Sequence, residues 1–311
     1  MIKAILAFFA TICSPALAGD LAVIGSQAGN TVSIIDLDDF QIRAQTRLEG
    51  LPSAVAYDRQ NRRAYVVSGE AGRLSVIDED AQILAARDMG AGSFGVAAAQ
   101  NGGFFLTDRT GGNLMRLDSG LTVLWRARTG KSPTGVAVSE DGQFVATADH
   151  EDHGVSVFDS SSGRLLRRIR TTGDVPFSLT FHGGRLWATD RDCGCISVMD
   201  PVSGRLLGTI QTSGQPSGVA FAQGRGFVTD PQTGTLGVFD PDSLELLGEI
   251  DVGKQPYGIS ALPDDSGVVV ANRDSDTISV IDASGLDLLA EIKVPAGPLA
   301  FGTFTGQKLV H

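Results

Sequence analysis

The sequence predicts an all-β chain folded as a seven-bladed β-propeller with four-stranded blades, and three observations predict it. A twelve-residue pattern recurs seven times, over 25–36, 67–78, 107–118, 148–159, 189–200, 229–240 and 271–282. Each copy is a short apolar run, a polar loop, a β-branched run and a closing Asp, and the closing aspartates follow one another at intervals of 42, 40, 41, 41, 40 and 42 residues. A period near 40 with four short strands per unit is that of propeller blades. The second observation is a small residue two places after a recurring proline or its equivalent: Ala54, Gly95, Gly135, Ser178, Gly218, Gly258 and Ala300. Inner strands that converge on one axis leave no room there for anything larger. The third is the ends of the repeat. The pattern begins near Leu21 with what is the second strand of other units, and closes with a lone first strand over 298–304. One blade then takes its inner strand from the C-terminal end and three strands from the N-terminal end, which removes the open edges.

In chain order, the first 18 residues read as a secretory leader: Lys3, an apolar run from Ala4 to Cys13, then Pro15-Ala16-Leu17-Ala18 as a small-x-small cleavage site. The run is too short to span a bilayer. Residues 19–311 are expected to form a single propeller domain, exported to the periplasm. The unit that opens at Pro133 illustrates each blade. Thr134 to Val138 is strand one, Glu140-Asp141-Gly142 a tight turn, Phe144 to Ala148 strand two and Val155 to Phe158 strand three. Arg164 to Ile169 is strand four. The closing Asp of each unit precedes a turn such as Asp159-Ser-Ser-Ser-Gly163, where its carboxylate accepts backbone N–H groups, so its role is structural. The formal net charge of -11 makes nucleic acid and anionic lipid poor partners.

The stretch Val269-Val-Ala-Asn272, followed by Thr277-Ile-Ser-Val-Ile-Asp282 and preceded by Gly253-Lys-Gln-Pro256-Tyr-Gly258, resembles the YVTN-repeat propellers. The resemblance covers essentially all of the chain after the leader. It implies the fold and a bacterial periplasmic setting, in some cases beside quinone-dependent oxidation systems. It does not imply a site, because the consensus describes β-structure. The Asn of that family stands only at Asn272; other units have Ser26, Ser68, Asp108, Asp149, Asp190 or Asp230. Architectures related to that family carry d1 haem or act as lactonases, but no residue set here matches their sites.

Two constellations carry candidate chemistry. The loops joining strands two and three share a face with the starts of the inner strands. Their third positions include Arg109, His150, Arg191 and Arg273, and the inner-strand starts include Phe94, Phe177 and Tyr257. Guanidiniums beside aromatic walls suit an anionic or carboxylate ligand. The alternative is that each Arg pairs with an Asp of the neighbouring blade. The second constellation is His150, His153, Cys193 and Cys195, on adjacent blades, a nitrogen and sulfur set suited to Zn or Cu. Cys193 and Cys195 are equally a disulfide candidate in an oxidising compartment. His182 falls in a turn on the opposite face and His311 ends the chain, so neither is a candidate.

The function read from these features is a non-catalytic, monomeric binding or scaffolding propeller that recognises a small anionic ligand or a partner protein, with no cofactor. The alternatives are a metal- or haem-binding propeller built on His150, His153, Cys193 and Cys195, and a lactonase-like hydrolase.

Overall fold

The computed structural model describes residues 20–307, and the expected leader and His311 lie outside that range. It holds seven antiparallel sheets of four strands each, arranged as a β-propeller. Among the described residues no helix is long and apolar enough to cross a membrane. Blades are numbered here from the N-terminal end, and strands from the axis outward. Blade four runs Pro133–Val138, Phe144–Asp149, Gly154–Asp159 and Leu165–Arg170, within a residue or two of the sequence reading. The face bearing the loops between strands two and three is called the upper face.

Side-chain patterning explains the layering. Second and third strands are buried almost throughout, as in Phe144–Asp149 and Gly154–Asp159, because each is covered by a blade on either side. The outermost strands are mostly exposed, and Val123–Arg128 alternates, because one side of each meets water. The closing aspartates cap turns. Asp159 accepts the Ser162 N–H and the hydroxyls of Ser161 and Ser162, which hold its carboxyl down at about 2.

Convergence at the axis is severe. A Cβ on Gly95 would lie 2.4 Å from the Thr134 carbonyl oxygen, one on Gly135 2.8 Å from that of Phe177, and one on Gly258 2.3 Å from those of Leu299 and Ala300. Five of the inner strands also break register after the proline or its equivalent, between Pro133 and Val136 for example, so carbonyls leave the ladder there. Hydroxyls take them up. Thr107 accepts the Gly95 N–H and donates to the Thr134 carbonyl of the next blade, at 2.8 and 2.9 Å. Thr189 and Thr229 donate in the same way to Ser217 and Tyr257. Blade four has Ala148 at this position, and the hydroxyl of Thr134 reaches the Phe177 carbonyl instead, at 2.8 Å. Adjacent blades are thus hydrogen-bonded to each other at the narrowest radius.

The ring closes as expected, with an inner strand from the C-terminal segment on the sheet that begins at Asp20–Ser26. The continuous strand expected over 298–304 is not what forms. The named strand is Thr305–Gln307, paired with Asp20, Leu21 and Ala22, while Pro298 bridges to Ser26. Between them the backbone leaves blade one, with φ of 42° at Ala300 and 107° at Gly302. It pairs in parallel with the inner strand of blade two: Phe301 N–H donates to the Ser53 carbonyl, Val55 N–H to Phe301 and Tyr57 N–H to Thr303. The closing segment therefore joins two blades, not one.

Two outcomes follow. Gly258→Ala should destabilise the ring by about 2–3 kcal/mol in chemical denaturation, because backbone must move to admit the methyl. Removing residues 298–311 should bare the inner edges of blades one and two and yield aggregation or non-cooperative unfolding; a soluble truncate melting like the parent would contradict the closure.

Candidate functional site

The upper loops place Arg109, His150 and Arg191 on three successive blades. Phe94, Phe177 and Tyr257 follow or replace the leading prolines, and the tight turn into the inner strand points their rings into the central channel. There they meet a fourth ring, Phe301, with centroids 6.2 Å from Phe94, 5.3 Å from Phe177 and 6.0 Å from Tyr257. Phe94 and Phe177 also meet edge to face at 6.3 Å. These separations are those of favourable aromatic pairs. The four rings form a plug across the channel. Phe301 was missed by the sequence reading because it lies in the closing segment and one place after the small axial residue, whereas Phe94, Phe177 and Tyr257 come one place before it. A signal was present: the residue after the small axial position is Val55, Val96, Val136, Leu179, Val219 and Ile259 in six blades, and Phe301 in the seventh.

The arginines rest on this plug. The Arg191 guanidinium carbon sits 3.6 Å from the Phe177 ring centre and 5.5 Å from that of Tyr257. That of Arg109 sits 5.4 Å from Phe94. Such contacts contribute about 2 kcal/mol when desolvated. Arg191 donates to the Ser217 hydroxyl at 3.3 Å, while its buried Nε has no hydrogen-bond partner. Burial lowers its pKa, and Tyr257 works against that shift.

The interblade Arg–Asp bridges considered for these loops do not form at Arg109 or Arg191, because the nearby acids are engaged elsewhere. Asp152 accepts the Lys131 N–H, Glu151 the Ser132 hydroxyl, and Asp192 the N–H groups of Asp174 and Val175. Arg273 stands apart from the plug, exposed and 4.0 Å from Asp274 of its own loop. His150 belongs with the two stacked arginines. Burial pushes its imidazole below the ordinary value, the charges of Arg109 and Arg191 push the same way, and its Nδ1 donates to the Pro176 carbonyl at 3.3 Å.

The nitrogen and sulfur set does not assemble. Cys193 and Cys195 are bonded to each other, with Cα atoms 5.3 Å apart. His153 is exposed and turns its Nδ1 to the Asp174 carbonyl, and His150 is held as described. The group brought together instead is Asp190, Cys193 and Cys195.

Below the plug the channel widens into a cavity of about 670 Å³ that opens on the lower face. Phe301 and Tyr257 form its roof, and Val96, Val136, Leu179 and Ile259 contribute to its wall. At its mouth His182 stacks on Phe221, with ring centres 4.0 Å apart and planes 6° from parallel, and its Nδ1 lies 3.7 Å from Glu140. Burial lowers the His182 pKa, and Glu140 opposes the shift. The residue set aside on the sequence thus lines the mouth of this cavity.

No protein-family model matches the chain, and no curated protein matches it. Solved structures do. The chain is similar to a functionally unknown protein from Desulfotomaculum acetoxidans DSM 771, at TM-score 0.76 and 14% identity over 91% of this chain and 99% of that one. Hydrazine synthase of Kuenenia stuttgartiensis aligns at TM-score 0.71 and 14% identity, over 81% and 89%. Dihydro-heme d1 dehydrogenase NirN in complex with DHE aligns at 0.69 and 16%, over 89% and 74%. At these identities the likeness shows the propeller fold alone.

The plug is expected to carry stability. Phe301→Ala should cost about 2–3 kcal/mol by urea unfolding, less than a fully enclosed Phe because one side faces the cavity. A loss below about 0.5 kcal/mol would mean the four rings do not act as one cluster.

Proposed function

We propose that the chain is a periplasmic, non-catalytic binding propeller of the YVTN-repeat type, exported by its first 18 residues, whose ligand is anionic and docks on the upper face. The observation that carries the reading is Arg191: a half-buried guanidinium stacked on Phe177, its Nε buried without a hydrogen-bond partner and no carboxylate paired with it among the described residues. A partly desolvated cation without a counter-charge is unfavourable, and a bound carboxylate or other oxyanion would supply that charge with bidentate hydrogen bonds. Arg109 and neutral His150 flank it and give the ligand a basic rim from three blades. Arg273, with its own Asp274, is left out of the site. A small dicarboxylate or an acidic segment of a partner protein has the required chemistry.

The test is equilibrium binding of a panel of mono- and dicarboxylates and sulfate at fixed ionic strength. The double variant Arg109→Gln, Arg191→Gln should lose at least tenfold in affinity, while Arg273→Gln should stay within twofold. Affinity should also rise as pH falls through the imidazole range. An anion beside His150 raises the imidazole pKa from its depressed free-state value, so binding takes up a proton between the two values. Equal affinity of the double variant and parent would overturn the reading.

A further inference from the structure

Blade five departs from its neighbour at two positions of its upper loop. In blade six these are Thr233 and Thr235, whose hydroxyls hydrogen-bond at 2.6 Å. The repeat therefore brings the two side chains together, and in blade five they are Cys193 and Cys195. Beside them lies Asp190, fully buried. Its Oδ2 accepts the Ser197 hydroxyl and the Gly173 N–H, at 3.0 and 3.3 Å. Its Oδ1 is buried with no hydrogen-bond partner among the described residues. One ligand atom from each of Asp190, Cys193 and Cys195 lies within 4.8 Å of the others. Unpartnered oxygens recur at the equivalent Asp230 and Asn272. Of these three blades, only blade five sets sulfur beside one.

We propose that reduction of the Cys193–Cys195 disulfide turns this loop into a site for one thiophilic divalent cation of the zinc type, held by the two sulfurs and the Asp190 carboxylate. A dithiol reductant supplies the two electrons and two protons that cleave the S–S bond, and itself closes to a disulfide. The cation then displaces the two thiol protons and binds both thiolates. Three protein ligands leave a fourth, water-filled position in a tetrahedral shell. Thiolate donors select such a cation over magnesium or calcium. The cation gives Asp190 the partner its buried oxygen lacks, and the Ser197 and Gly173 hydrogen bonds fix the carboxylate in place. The inference uses none of the residues assigned to the anion site and stands independently of it.

Co²⁺ is the probe, because thiolate ligation gives it an intense near-ultraviolet charge-transfer band and tetrahedral geometry a visible band. Anaerobic protein reduced with a phosphine should take up one Co²⁺ per chain with both bands, and Zn²⁺ should displace it. The oxidised protein should take up none. Asp190→Asn should bind at least tenfold more weakly, and Cys195→Ser should lose most of the charge-transfer band. Asn is the residue of blade seven at this position, so oxidised Asp190→Asn should unfold cooperatively like the parent. Equal uptake by oxidised protein, no uptake by reduced protein, or Asp190→Asn affinity within twofold of the parent would each overturn the site. So would a tenfold loss in His150→Ala or His153→Ala, which would assign the metal to the histidines.

Discussion

Seven inner strands that meet on one axis cannot all carry side chains there, and the rest of the molecule follows from that crowding. Glycine, alanine or serine must occupy the narrowest position of every blade, since a Cβ on Gly258 would lie 2.3 Å from backbone oxygen. Crowding also takes five of the inner strands out of register beside the leading proline or its equivalent, and the carbonyls so released need donors. Threonine hydroxyls supply several of them across the blade boundary: Thr107, Thr189 and Thr229, and Thr134 where blade four has Ala148. One steric limit thus sets composition, register and interblade hydrogen bonding together.

The same limit shapes the site. Because residues at the axis are small, the larger side chains just above them turn inward, and Phe94, Phe177 and Tyr257 cluster where a pore would otherwise run. The plug divides the axis into two chemically different ends. Above it, cations rest on aromatic faces while the local acids cap loops. Below it, a chamber with aliphatic wall residues opens past His182 and Phe221.

What could be read from the sequence was whatever the repeat states seven times. Blade number, strand order, the small axial residues and the capping role of the closing aspartates all rest on positions where every blade solves the same problem. Residues that depart from the repeat were harder to place. Arg109, Arg191 and Arg273 occupy one repeat position, yet only the first two lean on the plug; Arg273 turns to Asp274, whereas Asp192, which follows Arg191, is taken up by the N–H groups of Asp174 and Val175. Position within the repeat gave the loop and the face but not the direction of a flexible side chain. His150 and His153 looked like partners for the cysteines, but blade-five carbonyls take up their Nδ1 protons. Phe301 sits in the closing segment, which has no repeat around it.

The closing segment has a consequence in time. Pairs such as Val23 with Phe304 join residues at opposite ends of the described chain, and Val55 and Tyr57 wait for the same segment. During synthesis, the first two blades emerge long before the residues that complete their inner edges. Loop closure over such a span costs little more in entropy than over a shorter one, since the cost grows only with the logarithm of length. Its delay is another matter: high contact order slows folding. The emerging chain therefore carries two unfinished strand edges until its last few residues arrive, and it is in that interval, rather than in the finished ring, that such a protein is vulnerable to pairing with the wrong strand.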